Sequence, residues 1–194
     1  MLEFCDMSVA DLRDPAPGAL RLVEEFLNTN DIEGDREQFA TPGALRDWLA
    51  ERVLLEPGTP ATSEELTSAI ELRDALRALT AAHNRLPADA ASAVKVLNQA
   101  AANARLVPRL TSAQELVIEP QASGVAGALG RIVAIVHQAI ADGTWGRLKA
   151  CERDSCRWAF YDQSKNQSSR WCHPAICGNR ERSRRAYHRR RSTR

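Results

Sequence analysis

CERDSCRWAFYDQSKNQSSRWCHPAIC, residues 151–177, carries Cys151, Cys156, Cys172 and Cys177 as two Cys-x4-Cys pairs separated by fifteen residues. In a reducing compartment paired disulfides are disfavoured, and four clustered thiols read as a metal site. Zinc suits four thiolates because it is a borderline-soft ion that accepts tetrahedral sulfur coordination. Each short pair can form a knuckle, and the longer spacer lets the chain turn and bring the second pair back. One structural Zn²⁺ is therefore expected. Four thiolates leave no open position for a water, so hydrolytic chemistry at the metal is not expected. His173 follows Cys172 directly, but four cysteines already fill the tetrahedron, which leaves His173 outside the ligand set. Cys5, far from the others, reads as an isolated thiol.

Around the cysteines, the sequence predicts a small α+β module. Residues 146–150 suit a strand. The alternation of large residues from Arg157 to Asp162 suits a second, with Asp162 and Ser164 as a turn signal. Trp158, Phe160, Tyr161 and Trp171 are expected to form its core. Beyond Cys177, residues 180–191 contain no helix breaker. As a helix they would align Arg180, Arg184, His188 and Arg191 on one stripe, with Arg185 and Arg189 beside it. Such a helix has almost no apolar face and needs a polar partner.

Charge sharpens that expectation. The chain is formally +1, yet residues 147–194 carry fourteen Arg/Lys against four Asp/Glu, while the preceding 146 residues carry twelve against twenty-one. A −9 body joined to a +10 end is the asymmetry of a protein whose basic end meets a polyanion. Arginine makes paired, charge-assisted hydrogen bonds to phosphate and reaches guanine edges. Arg180, Arg184, Arg185, Arg189 and Arg191 are thus candidate nucleic-acid contacts. DNA is favoured over RNA, because the aromatics that could stack bases are needed inside the module.

Upstream, the pattern is helical. Leu22, Val23, Phe26 and Leu27 share a face within residues 16–29. Thr41-Pro42 starts a helix facing inward with Leu45, Trp48, Leu49 and Val53. Thr62 and Glu65 form a capping box before a long helix with Leu66, Ile70, Leu72, Leu76 and Leu79. Pro87 is expected to start another, with Val94, Leu97 and Ala101 inside. Residues 104–119 read as a hairpin turning at Thr111–Gln114. Residues 123–142 form the most apolar helix, with Val125, Leu129, Ile132, Val133, Val136 and Ile140, ended by Gly143. The expected fold is mainly α with a small β-hairpin: a helical domain over 1–145 and a small α+β zinc finger with an Arg-rich tail over 146–194.

No run of about 18 apolar residues suggests a membrane span. The N-terminus places acids where an export signal needs bases, so a cytoplasmic protein is expected. No catalytic constellation emerges. Gly-rich phosphate loops, His-Glu-x-x-His and Gly-x-Ser-x-Gly are all missing from the sequence, and His83 and His137 stand alone on helices. Asn28 and Thr29 end an apolar helix. They suit a C-cap and turn, or else polar groups lining a ligand pocket with Arg73.

The run from Arg170 to Arg180, ending Cys177-Gly178-Asn179-Arg180, resembles the CGNR zinc finger, and Phe160, Asp162 and Ser164 fit its pattern. Phe26-Leu27-Asn28-Thr29 and the segment from Leu72 to Arg77 resemble two motifs of the ABATE domain, which accompanies that finger in bacterial proteins. Glu24 and Glu25 depart from the more apolar residues usual there. The resemblance implies a transcription regulator. The finger would bind DNA, and the helical domain could sense a small-molecule effector or form a homodimer. Two other readings stay open: a small-molecule-binding or enzymatic helical domain with a purely structural finger, and an RNA-binding protein.

Overall fold

The structure is a computed structural model that describes residues 13–192. Cys5 lies outside the described residues. Helix α1 (Leu20–Leu27) buries Leu20, Val23, Phe26 and Leu27, with Leu22 half-buried beside them. A two-residue ladder follows, β1 (Asn30–Asp31) against β2 (Arg36–Glu37). Helix α2 (Pro42–Glu51) begins where the sequence places it. The Thr41 hydroxyl accepts the Ala44 N–H, and Pro42 takes the first helical position, where no N–H is needed. Phe26, Phe39 and Trp48 meet with ring centroids 5.6–5.7 Å apart.

Val53 departs from expectation. Helix α2 stops at Glu51, Val53 adopts φ 57° and is 85% exposed, and Leu54 and Leu55 turn inward instead. The inner face of α2 is a local periodicity, and it does not extend past the residue where the backbone leaves the helix.

Helix α3 (Ser63–His83) carries the expected capping box and buries Leu72, Arg73 and Leu76. Helix α4 (Ala90–Asn103) packs on it. It starts three residues later than Pro87, because the Asp89 carboxylate caps the Ser92 N–H. That start leaves Val94 46% exposed and makes Ala93 the buried residue, with Leu97 and Ala101 packed against the core. The hairpin is β3 (Leu106–Leu110) against β4 (Leu116–Pro120), in register Leu106↔Pro120.

Helix α5 (Gly124–Ala141) is the central core element. Its mean hydropathy of 1.5 over 18 residues would suit a membrane span by composition, but half of that window is buried against the rest of the protein. Val125, Leu129, Ile132, Val133 and Val136 point inward as expected, whereas Ile140 is exposed near the helix end. Gly130 allows α5 to lie directly on the hairpin: a Cβ there would stand 2.3 Å from the Ala104 Cβ and 3.1 Å from that of Pro120. Gly130→Val is therefore expected to destabilise the protein by about 1–3 kcal/mol through overpacking, read as a lowered denaturant midpoint. An unchanged midpoint would show that the hairpin can move aside.

The core does not stop at residue 145. A 3₁₀ turn (Trp145–Arg147) leads into β5 (Leu148–Ala150), paired antiparallel with β6 (Ala159–Tyr161). Trp145, Leu148, Ala159 and Tyr161 belong to the same buried cluster as α1, α3 and α5. Helix α6 (Asn179–Ser192) follows a π-helical turn over Pro174–Gly178.

Candidate metal centre and nucleic-acid interface

The two knuckles are built from backbone. Leaving β5, Cys151 donates its N–H to Trp158 O (2.9 Å). The chain doubles back by Cys156 N–H to Arg153 O (2.9 Å), and Arg157 takes φ 52°. In the second knuckle Cys177 N–H reaches His173 O (2.9 Å), and the His173 ring Nδ1 accepts Ile176 N–H (3.2 Å). His173 thus caps the π-helical turn that carries Cys177.

All four cysteines are buried, and their Sγ atoms lie within 4.8 Å of one another. Cys172 Sγ is 3.6 Å from both Cys156 Sγ and Cys177 Sγ. A tetrahedral zinc with Zn–S of about 2.3 Å has edges of about 3.8 Å, so the donor set fits the ion. Hydrogen bonding with Cys151 and the other thiols, together with burial, pushes Cys172 well above the ordinary thiol range. Thiol hydrogen bonds, that from Cys151 first, hold Cys177 well below it. A cation lets all four ionise together. Phe160 closes the cluster, with Trp158 and Trp171 packed against it, while Tyr161 faces the helical core instead.

The Cys177-to-Arg180 run has a structural reason at each position. Cys177 is a thiol of the cluster. Gly178 lies under the Trp171 ring, where a Cβ would meet ring carbon at 3.3 Å. Asn179 donates from Nδ2 to Ala175 O (2.7 Å), tying α6 to the turn. Arg180 reaches Glu33 Oε1 at 2.5 Å, and Arg153 reaches the same oxygen at 2.6 Å. Glu33, in the β1–β2 turn, was not legible as a partner in the sequence, because its arginines lie more than a hundred residues away.

The remaining α6 arginines are exposed. Arg184 grips Glu181 through two 2.9 Å bonds. Arg185 bonds Glu181 (2.9 Å) and Glu152 (3.0 Å), and Arg191 lies over Tyr187. Arg189 is exposed near the far end of the helix. Seven arginines and one acid thus sit on a helix that starts two residues after Cys177.

Lys149 and Asp162 form a buried pair at 2.7 Å. Burial raises the Asp162 carboxyl, but hydrogen bonds from Lys149, Ser164 and Ser169 outweigh it and hold the group well below the usual carboxylate range. Lys149 also donates to Gln167 O (2.5 Å), so this pair shapes the loop over residues 162–169. In sequence Asp162 reads as a turn former. Nothing in the sequence pointed at Lys149 as its partner, 13 residues away.

Asn28, Thr29 and Arg73 divide between two jobs. Asn28 Nδ2 donates to Ala159 O (3.0 Å), and its Oδ1 accepts Ala159 N–H (2.8 Å), pairing the end of α1 with β6 like a strand. Thr29 donates to Phe26 O (2.8 Å) and accepts from Arg73, which also pairs with Glu37 at 2.6 Å and Asp74 at 3.3 Å. Arg77 Nη2 donates to Leu27 O (2.5 Å) and Asn30 O (2.9 Å). The two separated motifs therefore meet, with arginines of α3 capping the end of α1. A cleft of about 530 Å³ includes Asn28, Trp48 and Trp158, with Thr29 and Arg73 outside its lining. Glu24 Oε2 accepts Ala16 N–H (2.6 Å), and burial raises its carboxyl. His83 packs edge-on against Trp145 and bonds Leu148 O (2.8 Å).

Comparison with known proteins agrees with this architecture. The ABATE family model, described as a putative stress-induced transcription regulator, matches residues 20–143, and the CGNR zinc finger model matches residues 147–190. No curated protein matches the chain. Both descriptions are of regulator and zinc-finger type rather than of enzymes. The first match spans well over half of the 194 residues and covers the α1 and α3 motifs that the structure brings together, and the second covers the four-thiol cluster, so the chain belongs to the ABATE family and carries a CGNR zinc finger with one structural zinc site.

Proposed function

We propose that this protein is a cytoplasmic DNA-binding transcription regulator in which zinc folds the finger and α6 lays its arginines along phosphate. The observation that carries this reading is the anchoring of α6. A helix with almost no apolar side chain is fixed at its first residues by a metal knuckle, the Asn179 bond and Glu33, and presents Arg184, Arg185, Arg189 and Arg191 outward. A merely solvated tail gains nothing from such anchoring. Phe160 is sealed inside the thiol cluster, and Trp158 and Trp171 are packed against it, which favours duplex DNA over base-stacked RNA. An effector would enter the cleft beside Asn28, where it would touch Trp48 of the helical body and Trp158 of the finger.

The test is anisotropy of a labelled duplex titrated with zinc-loaded protein over a series of KCl concentrations. Log affinity should fall linearly with log salt, by about 0.9 per phosphate neutralised. Replacing Arg184, Arg185, Arg189 and Arg191 together by Ala should flatten the slope by about 3–4 and weaken binding at least a hundredfold at low salt. Zinc-replete wild-type protein with no salt-sensitive binding would sink the reading.

A further inference from the structure

We propose that the cleft between the end of α3 and the loop over residues 162–169 is a second phosphoryl-binding site, which holds the backbone of the same DNA that α6 contacts. This inference rests on the DNA-binding reading above. The cleft encloses about 760 Å³, and its lining holds Arg85, Lys149, Lys165 and Arg170 against one carboxylate, Glu152. Two of the three lysines in the chain lie here. The cleft beside Asn28 also holds three arginines, Arg13, Arg21 and Arg52, but sets two carboxylates, Glu24 and Glu25, against them, so its net charge is lower.

The site is built rather than incidental. Asn84 Nδ2 donates to both Ala150 O and Arg170 O at 2.8 Å, stitching α3 to the two sides of the finger. Lys149 spends its protons on Asp162, Gln167 O and Ser169 O, so it holds the loop in shape and is not itself the anion's donor. That role falls to Arg85 and Lys165, exposed at the mouth and making no ion pair among the described residues, with the Ser168 hydroxyl and Asn166 amide beside them. The cleft is also continuous with α6. Arg170 and Arg185 share Glu152 Oε1, so one carboxylate separates the cleft from the helix. Its other oxygen is buried without a partner. A duplex whose phosphates follow Arg184 and Arg185 would meet Arg170 and then Lys165.

Arg85 supplies an independent sign. It sits one residue past the helix C-cap with φ 59°, and the Leu86 N–H closes back on Ala81 O at 3.0 Å. Glycine is the residue favoured at that position, and a long cation there is strained. Arg85→Gly therefore relieves the backbone while removing the charge, which separates binding from folding.

The experiment compares salt slopes for duplex binding by the full zinc-loaded chain and its Arg85→Gly and Lys165→Gln variants, with Arg109→Gln on the β3–β4 hairpin as control. Each cleft variant should lower the slope by about 0.9 and weaken binding several-fold, with the control unchanged. Arg85→Gly should keep or raise the melting temperature. A second arm titrates pyrophosphate and follows the Lys165 and Ser168 amide resonances. Shifts that Lys165→Gln abolishes support the phosphoryl site. If both variants bind DNA with the wild-type slope while pyrophosphate still shifts these amides, the DNA assignment is overturned in favour of a free phosphorylated ligand. If neither arm responds, the site itself is overturned. If wild-type protein binds no DNA, the functional reading fails separately and the pyrophosphate arm alone decides the cleft.

Discussion

Cys172→Ser is expected to abolish zinc binding and to unfold much more than the finger. Cys172 sits 3.6 Å from two other ligand sulfurs and is buried. A serine oxygen in its place is harder, shorter and far less readily ionised. Structural zinc contributes on the order of 10–16 kcal/mol of apparent binding energy in small fingers, comparable with or larger than the whole stability of an ordinary domain. Without the ion, four buried thiols must take up protons, and the two knuckles lose the centre that orders them. The damage spreads because Leu148, Ala159 and Tyr161 fill the same core as α1, α3 and α5. The expected readings are a metal-to-protein ratio that falls from one to zero and a melting transition that is broadened and lowered by tens of degrees. Dialysis of wild-type protein against a strong chelator should reproduce both. Acid should do likewise, since protons compete with zinc for the thiolates. A Cys172→Ser protein that keeps stoichiometric zinc and melts within a few degrees of wild type would remove the site from the account.

The second large effect belongs to Asn28→Ala. Its side-chain amide answers both backbone groups of Ala159, at 2.8 and 3.0 Å, in a buried setting. Alanine leaves an N–H and a C=O unpaired away from water, at about 1–3 kcal/mol each, so the loss is about 2–6 kcal/mol. For a chain of this length that lowers melting by about 10 °C. Asn28→Asp should be nearly as harmful, because a carboxylate can accept from Ala159 N–H but cannot donate to its carbonyl and would be buried charged. Zinc stoichiometry should survive both changes, because the cysteines are untouched. Hydrogen exchange should localise the fault: the Ala159 amide, and Asp162 N–H, which bonds Arg147 O at 2.7 Å at the open end of the same hairpin, should lose protection before α5 does. Unchanged protection at Ala159 would mean that the Asn28 contact contributes little.

What could be read from the sequence follows the range of the interactions involved. Thr41 with Pro42, and Thr62 with Glu65, announce their helices because a cap and its target are three residues apart. The four cysteines were legible for a similar reason: each knuckle closes locally, and thiolate chemistry selects the ion. The β3–β4 hairpin lies where two β-prone runs flank a polar turn. Val53, Val94 and Ile140 were misplaced because a helical stripe says which residues align, not where the helix ends or how far its neighbour extends. Asn28 shows the limit most plainly. Its C-cap position is local and was readable, and the Asn28 N–H does bond Glu24 O. Its side-chain partner lies 131 residues away, and no periodicity reports that. The Lys149–Asp162 pair and the convergence of Arg153 and Arg180 on Glu33 were hidden for the same reason.

The shared core has a consequence for how such proteins can be taken apart. Zinc fingers are often treated as cassettes that can be lifted from one host and fused to another. Here the β5–β6 hairpin hands Leu148, Ala159 and Tyr161 to the helical body and receives Asn28 and Asn84 in return. Cut near residue 146, the finger would carry an uncovered apolar strip, and the body would keep an open groove. Neither half has a surface of its own at that seam, so recombination between relatives should exchange the two only together, or with the seam residues rebuilt as a matched set.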